Sequence, residues 1–210
     1  MLDPPDLITD LTRAAAGDDT AWQVIVRAHL PRLLRMVAVR LDPRLASRLD
    51  ADDILQDVFL DAAGQLADYL QDPQVPFFLW LRLLTGHWIA RAHRTHLGTQ
   101  ARNARRERAL DTAMPNASSV ALAAHLLGRE DRPSEAAQRA ERVSRLHAAL
   151  DEMDVTDREV LSLRHFEHLS RAETSAVLGI SEAAVGKRYL RALARLKRLV
   201  LDDLRVPEDL

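Results

Sequence analysis

Residues 178–197, LGISEAAVGKRYLRALARLK, decide how the C-terminal part of the chain folds. Gly179 tolerates the left-handed conformation that ends a helix, and Ser181 is a residue type that caps the next one. From Ala184 to Arg198 the chain carries six Lys or Arg and no acidic residue. The stretch predicts a tight helix-turn-helix whose second helix has a basic face. Such a face can simply be solvated, but after a turn of this kind it is typical of a DNA-reading helix.

Two signals upstream mark further helix starts. Ser170 and Glu173 are spaced as S-x-x-E, and Thr156 and Glu159 as T-x-x-E, which is the pattern of a capping box. Together with the start at Ser181 they predict a compact unit of three helices. Its expected core residues are Val177, Leu178, Ile180, Val185, Tyr189, Leu193 and Leu196.

The composition favours an all-α protein. Only 4% of the 210 residues are aromatic and seven are glycine, while 47% are hydrophobic. The absence of cysteine excludes disulfides, thiol nucleophiles and cysteine-based metal sites, and it suits a reducing cytoplasm. The start MLDPPDL is acidic and contains proline, which argues against a signal peptide. The most apolar stretch, residues 75–90, is too short for a membrane span, so we expect a cytoplasmic protein without membrane contact.

The charges are segregated along the chain although the formal net charge is only −2. Residues 42–72 contain eight Asp and two Arg, a net charge of −6. Residues 87–108 contain six Arg and one Glu, a net charge of +5. With the basic helix after Ser181, this pattern predicts one protein partner and two contacts with nucleic acid.

Apolar periodicity predicts four helices in a first domain, residues 1–108. They cover residues 6–16, 18–41, a run that opens after Asp50, and residues 77–108. Pro31 should kink or split the second helix. The third helix should bury one face, made of Ile54, Leu55, Val58, Phe59, Ala62, Leu66 and Tyr69.

The region after the first domain lacks strong periodicity and contains prolines, glycine and a Ser-Ser pair. We interpret residues 109–139 as a linker, with a short helix at 120–127. The helix-turn-helix domain then covers residues 140–201, and residues 202–210 form a polar tail. The predicted architecture is two helical domains joined by a flexible linker.

The stretch DADDILQDVFL, residues 50–60, begins the third helix with an acidic stripe. Asp53, Asp57 and Asp61 are four residues apart and share a helix face with Gln56. Like charges at this spacing repel, so the stripe is best explained by a basic protein partner. A solvated face is one alternative. A divalent metal site is another, but no second set of ligands accompanies it.

The histidines offer only a weak metal signal. His93 and His96 are three residues apart, and His87 precedes them in the same predicted helix. Because they alternate with Arg91 and Arg94, we interpret them as polar groups beside nucleic acid. The sequence shows no Ser-His-Asp arrangement and no glycine-rich phosphate loop. We expect no catalytic residues, no bound metal and no cofactor.

These motifs, in this order, resemble a bacterial family. DADDILQDVFL is similar to the helix by which sigma factors bind core RNA polymerase, and PFFLWLRLLTGHWIARAHRTH, residues 76–96, resembles their segment for melting and reading the −10 element. Residues 150–197 resemble their helix-turn-helix for the −35 element. Two such domains without the extra domains of primary sigma factors resemble the extracytoplasmic-function (ECF) subfamily. The match covers most of residues 10–200.

The resemblance implies three sets of contact residues. Binding to the clamp helices of the largest polymerase subunit is implied for Asp53, Gln56, Asp57 and Asp61. Contact with the −10 element is implied for Phe77, Trp80, His87, Trp88, Arg91 and Arg94. Contact with the −35 element is implied for Ser181, Glu182, Ala184, Lys187, Arg188, Arg191 and Arg195. For Phe77 and Trp80 the alternative is a place in the core, because an apolar helix start is usually buried.

The sequence departs from the family pattern at two places. Gly86 and His87 stand where the family usually has Asn, so the −10 preference cannot be transferred. Thr174 and Ser175 replace an apolar-Ala pair in the turn motif.

The expected partners are core RNA polymerase, promoter DNA and, potentially, an anti-sigma factor. Two other functions fit less well: a helix-turn-helix regulator with an N-terminal sensor or dimerisation domain, and a metal-dependent hydrolase.

Overall fold

The computed structural model describes residues 3–45, 48–97, 115–127 and 136–204, and their regular secondary structure is helical. The side chains of residues 97, 136–138 and 199–204 are not described. The chain forms two compact units, Met1–Pro115 and Asn116–Leu210. Within the described ranges, none of the helices combines the length and apolar content that crossing a membrane requires.

Within its described residues, the first unit is a bundle of four helices. They are α1 (Pro5–Ala15), α2 (Asp19–Arg40), α3 (Ala51–Gln71) and α4 (Phe77–Leu97). The predicted bounds of α1 and α2 agree with the observed ones to within one residue at each end, and the predicted start of α3 is confirmed. Residues 98–108 of the predicted fourth helix lie outside the described residues.

Of the two effects expected of Pro31, a kink or a split, the split does not occur. The helix runs through it without a break in assignment. Proline removes one backbone hydrogen bond, but Ile25 before it and Leu33 and Met36 after it are fully buried. Packing on both sides of the proline therefore holds the helix together.

The start and the inner face of α3 form as the sequence predicts. The Asp50 carboxylate caps the helix by accepting a hydrogen bond from the Asp52 amide at 3.1 Å. All seven predicted core residues are buried: Ile54, Leu55, Val58, Phe59, Ala62, Leu66 and Tyr69. Strict helical periodicity thus fixes which side of α3 faces solvent.

The second unit, over residues 116–127 and 136–204, contains five α-helices. They are α5 (Ser119–Leu126), α6 (Ala136–Asp151), α7 (Val155–Leu161), α8 (Arg171–Leu178) and α9 (Glu182–Leu204). A short π-helical segment, Ser162–Phe166, continues α7.

The structure places the beginning of the second unit at Asn116 and not at residue 140. The short helix expected inside the linker is α5, and it packs against α6. Leu122 is 1% exposed and, with Leu126, lies against apolar side chains of α6, α7 and α9. The Ala117 amide donates to Glu159 Oε2 at 3.2 Å. Residues 109–114, 128–135 and 205–210 lie outside the described part of the chain.

Only one of the two predicted capping boxes forms. Ser170 Oγ accepts from the Glu173 amide at 3.1 Å, and Glu173 Oε2 accepts from the Ser170 amide at 2.6 Å. In α7, however, the cap is Asp154, whose carboxylate accepts from the Thr156 amide at 2.9 Å. Asp154 starts the helix two residues earlier than predicted, and this leaves Glu159 for a different contact.

The core of the second unit is centred on α6 and α7 more than the sequence suggested. Val185 and Leu196 are buried as predicted, but Val177, Leu178, Ile180, Tyr189 and Leu193 are partly exposed. Leu150, Val160, Leu163 and Ala192, which were not predicted as core residues, are as fully buried as Val185.

Candidate functional site

The acidic face of α3 is exposed and adjoins an apolar groove. Asp53, Gln56 and Asp57 are all exposed, and Leu60 on the same side of the helix is 65% exposed. A groove of about 320 Å³ separates this side of α3 from α2. It is lined by Trp22, Val26, Leu30, Asp52, Leu55, Gln56, Phe59 and Leu60.

Sequence reasoning missed Leu60 and the groove. Leu60 follows Gln56 by four residues, so an apolar side chain on the otherwise acidic face was the available signal. The contribution of α2 could not be found in the same way, because which helices are neighbours depends on the whole bundle. The acidic and apolar surfaces together can receive an amphipathic partner with basic groups.

Asp61 lies apart from this surface. Trp88 in α4 donates from Nε1 to Asp61 Oδ2 at 3.2 Å. Eight residues after Asp53, a helix has turned by roughly 80° beyond two full turns, which directs Asp61 towards α4. The four-residue spacing thus does not keep all three acids on one surface.

A second depression of about 320 Å³ lies beside this hydrogen bond. The Arg91 guanidinium is 5.1 Å from the centre of the Trp88 ring, a distance suited to a cation–π contact. The depression is lined by Asp61, Gln65, Leu84, His87, Trp88, Arg91 and Arg94. It combines an aromatic surface, cations and hydrogen-bonding groups, which is what an unpaired nucleotide can use. Gln65 was not identified from the sequence.

Phe77 and Trp80 are separate from this depression. Phe77 is fully buried and Trp80 stacks on Tyr69 with ring centres 4.7 Å apart. The Phe77 amide also donates to Asp3 Oδ2 at 2.9 Å. Phe77 therefore occupies the core, which was the alternative to DNA contact. Its burial does not fit the predicted contact with DNA.

Two histidines of the first unit are held as neutral imidazoles. His29 lies between Phe77 and Phe78, and burial lowers the pKa of His29 to about 4, with the nearby Arg32 cation adding to the effect. His93 Nε2 accepts a hydrogen bond from the Asp42 amide at 3.0 Å, and burial also lowers the pKa of His93. Among the described residues, no three potential ligands lie close enough to hold a metal ion.

The turn before α9 has the geometry that its residues predict. Gly179 is left-handed, with φ of +63°, and Ser181 Oγ accepts from the Ala184 amide at 3.2 Å. Ser181, Glu182 and Lys187 are exposed, and Ala184 is partly exposed. The helix-turn-helix is confirmed, and the start of its second helix is accessible.

Three arginines of α9 are paired with acids that precede or begin α7. Arg188 Nη1 lies 2.6 Å from Asp157 Oδ1 and 3.1 Å from Asp154 Oδ1. Arg191 Nε lies 2.9 Å from Asp157 Oδ2. Hydrogen bonding to Asp157 is the main cause that raises the pKa of Arg188. The pairing brings two predicted DNA contacts onto one carboxylate.

Arg195 makes a similar but more exposed pair. Its Nη2 lies 3.2 Å from Glu152 Oε2, and the Glu152 side chain is 75% exposed. None of these acids was identified from the sequence. Asp154 and Asp157 at the start of α7 were the available signal, but their distance to α9 depends on tertiary packing.

Comparison with known proteins identifies the family. Residues 144–196 match the family Sigma-70, region 4. The chain is 31% identical over 188 residues to the ECF RNA polymerase sigma factor SigD of Mycobacterium tuberculosis, covering 89% of this chain and 80% of that protein. It is 29% identical over 188 residues to the RNA polymerase sigma factor CnrH of Cupriavidus metallidurans, covering 90% and 91% of the two chains.

A solved structure is similar over almost the whole chain. CnrH in complex with the cytosolic domain of CnrY matches with a TM-score of 0.53 at 25% identity, over 93% of this chain and 97% of CnrH. These relatives do not favour a helix-turn-helix regulator with an N-terminal sensor domain. The chain belongs to the ECF subfamily of sigma factors, which bind core RNA polymerase and direct it to promoter DNA.

Proposed function

We propose that the two units divide promoter recognition, with the first unit binding the polymerase and the −10 element and the second unit reading the −35 element. The chain does this as a non-catalytic factor in the cytoplasm. The observation that carries the proposal is the division of α3 into two surfaces. Asp53 and Asp57 are exposed next to Asp52 and Gln56, which line the apolar groove, whereas Asp61 is hydrogen-bonded to Trp88.

The polymerase surface is the acidic face of α3 together with the groove against α2. Its proposed partner is the pair of clamp helices of the largest subunit. Exposed carboxylates at Asp53 and Asp57 would guide and orient a basic partner, while Leu60 and the groove would bury apolar side chains. Both kinds of contact are needed for a stable and specific interface.

The −10 surface is the depression around Trp88. The exposed part of the indole offers a stacking surface for an unpaired base, and Arg91 and Arg94 can meet the phosphates. Asp61 belongs to the −10 surface, and not to the polymerase surface, because it is hydrogen-bonded to Trp88.

The −35 surface is the N-terminal half of α9. Ser181, Glu182, Ala184 and Lys187 occupy the first turns, which is where a recognition helix meets base edges. The arginines at 188, 191 and 195 lie at the side of the helix that faces α6 and α7, where they can reach the DNA backbone.

Run-off transcription tests the whole proposal. Purified chain and core polymerase are combined on genomic promoter fragments, and the expected result is a set of discrete transcripts that core polymerase alone does not produce. The variant with Asp57→Arg and Gln56→Ala should produce none of them. The proposal would be refuted if the chain added no transcript to those that core polymerase produces alone.

An anti-sigma partner is a further part of the proposal, supported by the CnrH complex with the cytosolic domain of CnrY. The full chain should be recovered from its own cells bound to an inhibitory protein that core polymerase displaces. Recovery with polymerase alone, under all growth conditions tried, would count against such a partner.

A further inference from the structure

We propose that Asp157 is a positioning residue for promoter binding: its carboxylate holds Arg188 and Arg191 of α9 in the orientation in which they meet DNA. The inference rests on the proposed role of α9 at the −35 element. It concerns a residue of α7, outside the recognition helix, that would not itself touch the DNA.

The carboxylate binds the two arginines in different ways. Arg191 approaches edge-on, with Nε 2.9 Å from Oδ2 and Nη2 3.2 Å from Oδ1. Arg188 donates from Nη1 to Oδ1 at 2.6 Å. Because a guanidinium has five N–H donors in a planar fork, an edge-on pair leaves the opposite side of the Arg191 group able to bind a phosphate.

Burial makes the contact specific. The Asp157 side chain is 9% exposed, whereas the side chain of Arg191 is 62% exposed and that of Arg188 is 31% exposed. The acid is thus fixed in the protein while the arginine that it holds reaches solvent. A free arginine would have to lose side-chain freedom when it binds DNA, and an arginine that is already held loses less.

Asp154 strengthens the arrangement from the same helix end. Its carboxylate accepts from the amides of Thr156 and Asp157, at 2.9 and 3.3 Å, and lies 3.1 Å from Arg188 Nη1. The cap that starts α7 therefore also fixes the backbone of Asp157. Arg188 is shared between two carboxylates, so Arg191 is the better placed of the two for DNA.

If Asp157 inhibited DNA binding instead of positioning the arginines, its replacement would change the affinity for DNA in the opposite direction. If the carboxylate only neutralised the arginines and competed with phosphate, replacing it by a neutral amide would strengthen DNA binding. If it positions them, the same replacement weakens binding although it removes a negative charge that repels DNA. The sign of the change therefore separates the two roles.

The test uses the full chain assembled with core polymerase and a promoter chosen by run-off transcription. For Asp157→Asn we expect a loss of about five- to tenfold in affinity for that promoter, and a smaller loss on a scrambled duplex. Glu152→Gln, which removes the exposed partner of Arg195, is the matched control and should stay within about twofold. Tighter or unchanged binding by Asp157→Asn would overturn the inference.

The single variant Arg191→Lys covers the case in which Asp157→Asn folds poorly, because it changes an exposed side chain and keeps the buried carboxylate. Arg191→Lys keeps the charge but cannot bind a carboxylate edge-on, so it should lose affinity to a similar extent. In that background Asp157→Asn should have little further effect, and independent, additive losses would contradict the positioning role. If the parent chain does not prefer promoter over scrambled duplex, the proposed −35 function is wrong. The role of Asp157 is wrong if the parent shows this preference and Asp157→Asn does not weaken it.

Discussion

The helices α3 and α9 both present a strongly charged face, but they differ in whether the charged side chains form ion pairs within the protein. Within the described residues, Asp53 and Asp57 of α3 form no ion pair and repel each other along one face. Three arginines of α9, at 188, 191 and 195, are instead paired with acids near α7. An open charged face favours a partner that brings the opposite charge. A face of paired arginines can bind a partner only through the guanidinium N–H groups that the acids do not use. The orientation of each guanidinium therefore matters more than the charge of the face.

The largest effect should follow from reversing charge on the open face. The change of Asp57→Arg with Gln56→Ala should abolish binding to core polymerase, because a reversed charge at a close interface pair commonly costs several kcal/mol. The fold should survive, since both side chains are exposed. Binding of the labelled chain to immobilised core polymerase, together with circular dichroism, measures both.

Asp68→Arg is the matched control for that experiment. It makes the same charge change at an exposed position of α3, roughly 16 Å further along the helix axis from Asp57. Its binding should stay close to that of the parent. Equal losses in the two variants would mean that overall charge, and not the proposed surface, controls the interaction.

The two units should differ in the pH range over which acid lowers their free energy of unfolding. In the first unit the folded pKa of His29 is about 4, below the value of 6.5 for an exposed imidazole. The unfolded chain therefore takes up a proton first as pH falls from 6.5 to 4, and the free energy of unfolding decreases over that range by up to about 3 kcal/mol. Above pH 6.5 this stabilisation is fully present. In the second unit, hydrogen bonds lower the pKa of Asp154, so its stabilisation is lost only at more acidic pH.

Intrinsic fluorescence can follow the first unit alone, because all three tryptophans belong to it. Its unfolding midpoint in urea should fall between pH 6.5 and 4. His29→Phe should remove most of this dependence, leaving the smaller contribution of His93. His96→Phe, at an exposed position of α4, should leave the dependence unchanged, and a flat profile in the parent would contradict the burial of His29.

Trp88 tests whether the first unit handles opened DNA as well as the polymerase. Trp88→Ala should impair promoter opening by about 1 to 3 kcal/mol, because a base loses its stacking surface. Trp88→Phe keeps an aromatic ring but loses the hydrogen bond to Asp61, so it should open promoters better than the alanine variant. Permanganate footprinting measures the unpaired thymines, and unchanged reactivity in Trp88→Ala would return the residue to a purely structural role.

The smallest expected effect concerns Gly186 on the paired helix. A Cβ at this position would lie 3.7 Å from Arg171 Cζ, an ordinary contact distance. Gly186→Ala should therefore raise the free energy of unfolding of the second unit by up to about 1 kcal/mol, because alanine favours the helix. Thermal unfolding measures the gain. Loss of promoter affinity in a stabilised variant would show that DNA approaches the backbone closely at this glycine.

Local patterns predicted the parts of the molecule that local chemistry controls. The periodicity of α3 identified its buried face, and Gly179 and Ser181 identified the turn, because each depends on residues close in sequence. Asp154 starts α7 two residues before Thr156, because its carboxylate accepts hydrogen bonds from the amides of Thr156 and Asp157. The contacts between Asp61 and Trp88 and between Asp157 and Arg191 depend on tertiary packing, and no spacing rule reports them. Phe77 stayed ambiguous because an apolar aromatic residue suits both a core and a DNA surface.

The docking of α5 on the second unit determines how the chain can be cut for study. A fragment that starts at residue 140 would omit Leu122, whose burial is worth roughly 1.5 to 3 kcal/mol, and would uncover apolar surface on α6, α7 and α9. It would also remove Ser119, whose hydroxyl donates a hydrogen bond to Asp151 Oδ1 at 2.6 Å and accepts one from Arg158 Nη1 at 2.9 Å. Such a fragment is expected to aggregate or to bind DNA weakly for reasons unrelated to recognition. The smallest useful DNA-binding fragment therefore begins at Asn116.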